Sequence, residues 1–161
     1  MDEYVNQREL ATRLGVSRRL IALRWAGPGG IFNPDVQIGK VMGWAPARIQ
    51  AFGVAAGLLT SRGLVIPRAQ HGRVLDPSGE WRVPTRVLLG QADVARLWGR
   101  SVMEIVRVRN VGRFPEAVAR IGDGARDVYG WEPEQIVTYG KQTGRLDING
   151  KAVPAVRTRP A

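Results

Sequence analysis

The feature that most constrains the fold of this chain is an internal repeat. The segment GWAPARIQAFGVAAGLLTSRGLVIP at 43–67 returns 87 residues later as GWEPEQIVTYGKQTGRLDINGKAVP at 130–154. Nine positions are identical in one ungapped register, and most of them hold glycine, proline or tryptophan. Matches at such special residues indicate a duplicated unit, so the chain is expected to consist of two related units.

The charge of the chain indicates the kind of partner it binds. The net charge is +10, and arginine carries nearly all of it because Lys40, Lys141 and Lys151 are the only lysines. A small protein this basic is expected to meet nucleic acid, an anionic membrane surface or an acidic partner. The preference for arginine favours nucleic acid, because the planar guanidinium matches phosphates and guanine edges. A GC-rich genome accounts for the arginine bias equally well, but it does not account for the net charge.

Several classes of protein are not expected from this composition. The chain has no cysteine, and its only histidine is His71, so neither disulfides nor a metal site is expected. No apolar run reaches membrane-span length, and the polar start is unlike a signal peptide. No nucleophile, base and orienting group converge in the sequence, so we expect no enzyme and no cofactor. The expected location is cytoplasmic, in association with the nucleoid.

A helix-turn-helix pattern opens the first unit. Apolar residues recur at helical spacing in 6–14, with Asn6 as the N-cap, and Gly15 ends this helix. Ser17 caps a second helix that should reach Trp25. Arg18, Arg19, Ala22 and Leu23 fall on the outward face of that helix. Arginines there suit phosphates and base edges in a major groove, although a solvated basic face is the plainer interpretation.

The rest of the first unit predicts a hairpin and a third helix. Alternating residues after Asn33-Pro34 indicate a short hairpin with its tip near Gly39 and Lys40. A helix is expected near 46–57, with Trp44 and Phe52 in the core, and then a strand over 64–66. Residues 68–89 should form a connecting hairpin or an extended crossing, with a turn at 76–79.

The second unit repeats this plan with a less basic outward face. Residues 90–110 align with the first helix pair, and the outward positions become Val102, Met103, Val106 and Arg107. Apolar side chains there can contact a thymine methyl, or the face can pack on another protein. A second hairpin is expected over 119–128, with its tip at 123–124 between Arg120 and Arg126.

The motifs ELATRLGVS and ADVARLWGRS, the latter followed by VGRFPEAVARIG and VYGWEPEQIVTYGKQTGRL, resemble the MerR and excisionase superfamily of winged helix-turn-helix domains. The second copy is similar to small DNA-binding domains of actinobacteria and their phages. The resemblance implies that the second helix enters the major groove and the hairpin, or wing, contacts the backbone. It thereby implicates Ser17, Arg18, Arg19 and Lys40. The chain lacks the long dimerising helix of full MerR regulators, so no small-molecule sensing is implied.

The expected architecture is therefore mainly α with short β-hairpin wings, an α+β fold of two tandem winged helix-turn-helix domains. The expected boundaries are 1–67 for the first repeat, 68–89 for a structured basic connector, 90–155 for the second repeat and 156–161 for a basic tail.

The expected function is sequence-specific binding of double-stranded DNA by a monomer, on an asymmetric site or an imperfect repeat. A repressor-like transcriptional regulator of a phage or mobile element is the leading expectation. The alternatives are an architectural factor (an excisionase or a small terminase subunit) and an adaptor for host machinery, with integrase, terminase or host RNA polymerase as protein partners. The residues expected to contact DNA are Ser17, Arg18, Arg19, Ala22, Leu23, Arg24, Lys40, Arg68, Arg73, Ser101, Met103, Arg107, Arg109, Arg113, Arg120 and Arg126.

Overall fold

The computed structural model describes residues 1–71, 77, 80–122, 124 and 126–156. The helices and strands of this part are, in chain order, β1 Asp2–Asn6, α1 Gln7–Leu14, α2 Arg18–Leu20 continuing as a π-helical turn Ile21–Trp25, β2 Val36–Ile38, β3 Val41–Trp44, α3 Pro46–Ala55, a 3₁₀ helix Arg68–Gln70, β4 Arg86–Leu88, α4 Gln91–Trp98, α5 Val102–Asn110, β5 Ala119–Ile121, β6 Val128–Gly130 and α6 Pro133–Gln142.

The six strands form one sheet in the order β4-β2-β3-β1-β5-β6. The pairs β1–β5 and β2–β4 are parallel, and the hairpin pairs β2–β3 and β5–β6, together with β1–β3, are antiparallel. The outer strands also approach each other, because Leu89 and Trp131 exchange two backbone hydrogen bonds of 2.9 and 3.0 Å. The sheet is therefore nearly closed, like a small barrel.

The expectation of a mainly α protein built from two tandem winged helix-turn-helix domains was wrong. The chain is a mixed α/β protein, because two strands that the patterns did not reveal, β1 and β4, join both hairpins into the barrel-like sheet. Each has only three to five residues and precedes a helix, β1 directly and β4 by two residues, so its alternation is too short to indicate a strand. The connecting hairpin expected over 68–89 is not found in the described part of that segment, which holds a 3₁₀ helix at Arg68–Gln70, no strand over 80–85, and β4 at its end. The expected turn at 76–79 lies mostly outside the described residues.

The helices and hairpins expected within each unit agree with the structure. Both hairpins are present at the expected places, and α3 ends at Ala55, two residues earlier than expected. The strand expected at 64–66 is reduced to a single antiparallel bridge between Leu59 and Val65.

Three apolar clusters stabilise this arrangement. The first unit buries four large aromatic side chains, and the rings of Phe32 and Phe52 stack with centroids 4.0 Å apart. Trp44 and Phe52 are fully buried, which confirms their expected place in the core. A second cluster, around Trp98 and Trp131, serves the second unit. The third lies inside the barrel and combines both units: Val36, Ile38, Leu88, Ala119 and Ile121.

Close packing inside the barrel leaves no room for a side chain at the repeated glycines Gly43 and Gly130. A Cβ atom added at Gly43 would lie 2.8 Å from Ile121 Cγ1, and one at Gly130 would lie 2.7 Å from Ile38 Cδ1. Both distances are shorter than van der Waals contact, and in each case the neighbour is a buried side chain of the other unit. These two identities of the repeat therefore preserve the close approach between the units.

We predict that Gly43→Ala and Gly130→Ala each destabilise the protein by about 1–3 kcal/mol, because the added methyl overpacks the barrel interior. The measurement is the midpoint of urea unfolding followed by circular dichroism. Gly90→Ala is the matched control, because a Cβ at this buried glycine meets Ile38 Cγ2 at an ordinary 3.4 Å. Midpoints that fall equally in all three variants would contradict this account of the two glycines.

Candidate nucleic-acid interface

Two local hydrogen bonds position the first helix pair. The Asn6 side chain accepts a hydrogen bond of 2.9 Å from the Glu9 amide, and the Ser17 hydroxyl accepts one of 3.2 Å from the Leu20 amide. Between the helices Gly15 has φ +65°, a left-handed conformation that glycine adopts without strain. Both expected caps are therefore confirmed. The buried residues Leu10, Leu14 and Ile21 hold the two helices together.

The outward face of α2 and the π-helical turn is open to solvent. Its cations Arg18, Arg19 and Arg24 are exposed, as are Ser17 and Ala22, and Leu23 is 69% exposed. No ion pair engages these three arginines within the described part of the chain.

The corresponding face of α5 is apolar at its start and cationic further on. Ser101 caps this helix through the Glu104 amide at 3.2 Å, and Val102 and Met103 are 44% and 75% exposed. Arg107 and, beyond the helix, Arg113 are exposed. Arg109 is half-buried, because its guanidinium lies 4.7 Å from the centroid of the Tyr129 ring.

The strand directions bring the two hairpin turns to one end of the barrel. Strands β1 and β2 are both antiparallel to β3, so they run in the same direction. Strand β5 is parallel to β1 and β4 is parallel to β2, so all four strands finish at the same end of the barrel. We call this the tip end. The turns that follow β2 and β5 lie there, as do the starts of α1 and α4, which follow β1 and β4.

The second helix of each pair also begins at the tip end. In the first unit, the Gln7 side chain at the start of α1 donates a 3.1 Å hydrogen bond to the Arg18 carbonyl. In the second unit, Gln91 and Val102 line one groove of about 600 Å³ together with Lys40 of the first unit's hairpin. The tip end therefore collects both hairpin turns and the first turns of α2 and α5.

Among the described residues, the acidic groups at the tip end are neutralised by local partners. The Asp93 carboxylate accepts a 2.9 Å hydrogen bond from the Gly90 amide and lies 3.3 Å from Arg96. Asp127 is paired with Arg120 at 2.8 Å. Lys40, by contrast, is exposed and has no ion pair among the described residues.

A second group of expected contacts lies beside the start of α2. Arg68 and the half-buried His71 line a cleft of about 640 Å³ together with Ser17 and Leu20. The 3₁₀ helix at 68–70 is thus folded back against the helix-turn-helix, and the exposed Arg68 joins the cations of α2. Arg73 lies outside the described residues.

Arg120 differs from the other expected contacts because it is engaged within the fold. Its guanidinium binds Asp127 at 2.8 Å and Glu3 at 2.7 Å, so it links β5 to β1 and to the following hairpin turn. The hydrogen bond with Asp127 raises the pKa of Arg120 and favours its charged form. Arg126, in the same hairpin, is exposed.

The residues that the patterns missed are Gln7 and Gln91. They occupy equivalent positions 84 residues apart, each directly after the residue that caps its helix. Their recurrence in the alignment of 6–14 with 90–98 is the signal that could have identified them.

Other kinds of site find little support in the described residues. No group of histidine, cysteine, aspartate and glutamate side chains among them is arranged to hold a metal ion. None of the helices in this part of the chain has the length and apolar character that a membrane span requires.

We predict that Arg120→Ala lowers the urea midpoint of unfolding, because it leaves the largely buried carboxylate of Asp127 without its cation. Arg126→Ala removes the same charge from an exposed position of the same hairpin and should leave the midpoint unchanged. The effect of Arg120→Ala should diminish in high salt, which screens the ion pairs. Equal midpoints for the two variants would show that the ion pairs of Arg120 contribute nothing to stability.

Comparisons with known protein families, with curated proteins and with solved structures find no match for this chain.

Proposed function

We propose that the chain binds double-stranded DNA in a sequence-specific manner, with α2 as its main reading element. The observation that carries this proposal is the open face of α2. Arg18 and Arg19 stand in the first turn of a Ser17-capped helix, exposed and without an ion pair in the described residues. Residues in the first turn of a second helix are those that reach base edges in a helix-turn-helix complex.

The chemistry of the neighbouring side chains supports a division of tasks on the duplex. Guanidinium groups form bidentate hydrogen bonds with the O6 and N7 atoms of guanine, so Arg18 and Arg19 suit base readout. Lys40 at a hairpin turn and Arg68 beside α2 suit phosphates, which fix the position of a protein on DNA without reading its sequence. The hydroxyl of Ser17 caps its own helix and is less available to the ligand.

The distribution of charges also supports an anionic ligand. The acidic side chains Asp35, Asp127 and Glu132 are each paired with an arginine of the fold, namely Arg48, Arg120 and Arg86. The excess of positive charge is therefore carried by side chains that face solvent. A surface of that kind attracts the phosphate backbone at long range and binds more weakly as salt increases.

Within DNA binding, a repressor-like regulator of a phage or mobile element is the proposed biological role. A regulator that holds a fixed sequence would act in the cytoplasm, in association with the nucleoid. An architectural role, such as bending DNA for an integrase or marking it for a terminase, uses the same surface. A neighbouring integrase or large-terminase gene would favour it.

A second candidate function is that of a protein adaptor, and the α5 face favours it. Val102 and Met103 are exposed apolar side chains at the positions where α2 carries Arg18 and Arg19. An apolar helical face can pack on a protein such as host RNA polymerase. Retention of that polymerase by the wild type, and its loss in Met103→Asp, would distinguish this function.

We predict that Arg18→Ala and Arg19→Ala each weaken binding to the preferred duplex by about 1–3 kcal/mol and relax its sequence preference. The measurement is fluorescence anisotropy with the preferred duplex and with a scrambled one. Lys141→Ala and Lys151→Ala are the controls for the two single variants, because each removes one exposed charge from the second unit outside α2 and α5.

Three results would count against these roles. An equal loss on preferred and scrambled duplexes would make Arg18 and Arg19 backbone contacts rather than base-reading residues. Wild-type affinity without a decrease on adding salt, where about 0.9 log units per neutralised phosphate and log unit of salt are expected, would contradict a phosphate interface. Absence of binding to any duplex would overturn the proposed function.

A further inference from the structure

The two units exchange their first strands in a reciprocal manner. Strand β4 precedes α4 as β1 precedes α1, so it belongs to the second unit and not to the connector. Strand β1 of the first unit pairs with β5 of the second, and β4 of the second unit pairs with β2 of the first. The two pairings also have the same register when the repeat is superimposed. The matching pairs are Asp2–Ala119 with Arg86–Val36, Glu3–Arg120 with Val87–Gln37, and Tyr4–Ile121 with Leu88–Ile38.

This reciprocity identifies a pseudo-twofold axis between the units. A contact in which each partner uses the same pair of surfaces is isologous, and only a twofold rotation produces it. Further contacts follow the same rule. Between the units, the Gly39 amide bonds to the Leu88 carbonyl at 3.3 Å, as the Gly122 amide does to the Tyr4 carbonyl at 3.2 Å. Within the units, the pair Val5–Trp44 matches the closing pair Leu89–Trp131.

The strand directions determine how this axis is oriented. The rotation exchanges β1 with β4, β2 with β5, and β3 with β6, and in every case the two exchanged strands run in the same direction. An axis perpendicular to the strands would reverse them, so the axis runs along the barrel. The tip end therefore carries both helix-turn-helix segments, related by a half-turn about an axis that passes through its centre.

A surface with this symmetry restricts the DNA that it fits. B-form DNA has local twofold axes perpendicular to its helix axis, and an operator with inverted half-sites mirrors the twofold symmetry of its protein. Half-sites in direct repeat are related by a translation along the duplex. The two helix pairs, which we call heads, are fixed in one nearly closed sheet and are related by a half-turn. They therefore do not present the same reading surface to the two half-sites of a direct repeat.

We propose that the ligand is duplex DNA with two half-sites in inverted orientation, occupied by a single chain whose barrel axis lies on the dyad of the site. This inference rests on the proposed function. The half-sites differ in base preference, because one head carries Arg18 and Arg19 where the other carries Val102 and Met103. The arginine head favours guanine, and the apolar head favours the methyl group of thymine.

Selection of bound duplexes from a random pool by the full chain, followed by affinity measurements on designed duplexes, tests the proposal. The designed set holds the two selected half-sites in inverted orientation, in direct orientation, and inverted with about five extra central base pairs, roughly half a helical turn. The inverted duplex should bind at least about tenfold more tightly than the other two, equivalent to losing contacts at one or more base pairs. Sedimentation should give one chain per duplex.

The variant Val102→Arg/Met103→Arg sharpens the test, because it copies the α2 pair onto exposed positions of α5. Its selected site should approach a perfect palindrome, with the arginine half-site on both sides. Arg18→Ala/Arg19→Ala should instead erase base preference in one half-site and leave the other unchanged. Circular dichroism of both variants confirms that the fold is retained.

The outcomes separate this inference from the function on which it rests. Selection of a direct repeat bound by one chain, or of an inverted repeat that requires two chains, overturns the inference and leaves DNA binding standing. Selection of one uninterrupted half-site overturns it as well. Absence of binding to any duplex overturns both.

Discussion

Exchange of the first strands between the two units is the contact on which the rest of this structure depends. Each unit supplies an antiparallel hairpin and a leading strand, and the leading strand adds in parallel to the hairpin of the other unit. A lone two-stranded hairpin is marginally stable in water, whereas three strands with an apolar face can be stable. The exchange also encloses a third apolar cluster that neither unit could form alone.

The shared sheet explains why the repeat is so strict at some positions and so loose at others. Gly43 and Gly130 stay the same because each faces an isoleucine of the other unit at close range. Gly53 and Gly140 stay the same because a Cβ there would meet Leu59 or Leu146, which are themselves repeated. The outward residues of α2 and α5 are mostly exposed, and there the two units have diverged.

The patterns in the sequence predicted each unit better than they predicted the way the units join. The caps Asn6 and Ser17, the turn at Gly15 and the hairpin at Gly39 follow from local chemistry, which adjacent residues determine. Parallel strand pairing is set by contacts distant in sequence, and strands as short as β4 leave almost no alternation to detect. The candidate interface was affected in the same way. Exposure of Arg18 follows from helical periodicity, whereas the ion pairs of Arg120 depend on the position of β1.

The pairing of β1 with β5 also has a consequence for how the chain reaches its native state. Glu3 and Arg120 are 117 residues apart, so β1 leaves the ribosome well before β5, with which it pairs. Such distant pairing incurs a loop-closure entropy before any contact compensates for it, and chains rich in it fold slowly. Until β5 emerges, β1 has an unpaired edge, which is a template for the wrong neighbour. Glu3 lies on that strand, and an exposed charge on an edge hinders pairing between nascent chains. We therefore expect Glu3, which later binds Arg120, to hinder association between unfinished copies of the chain.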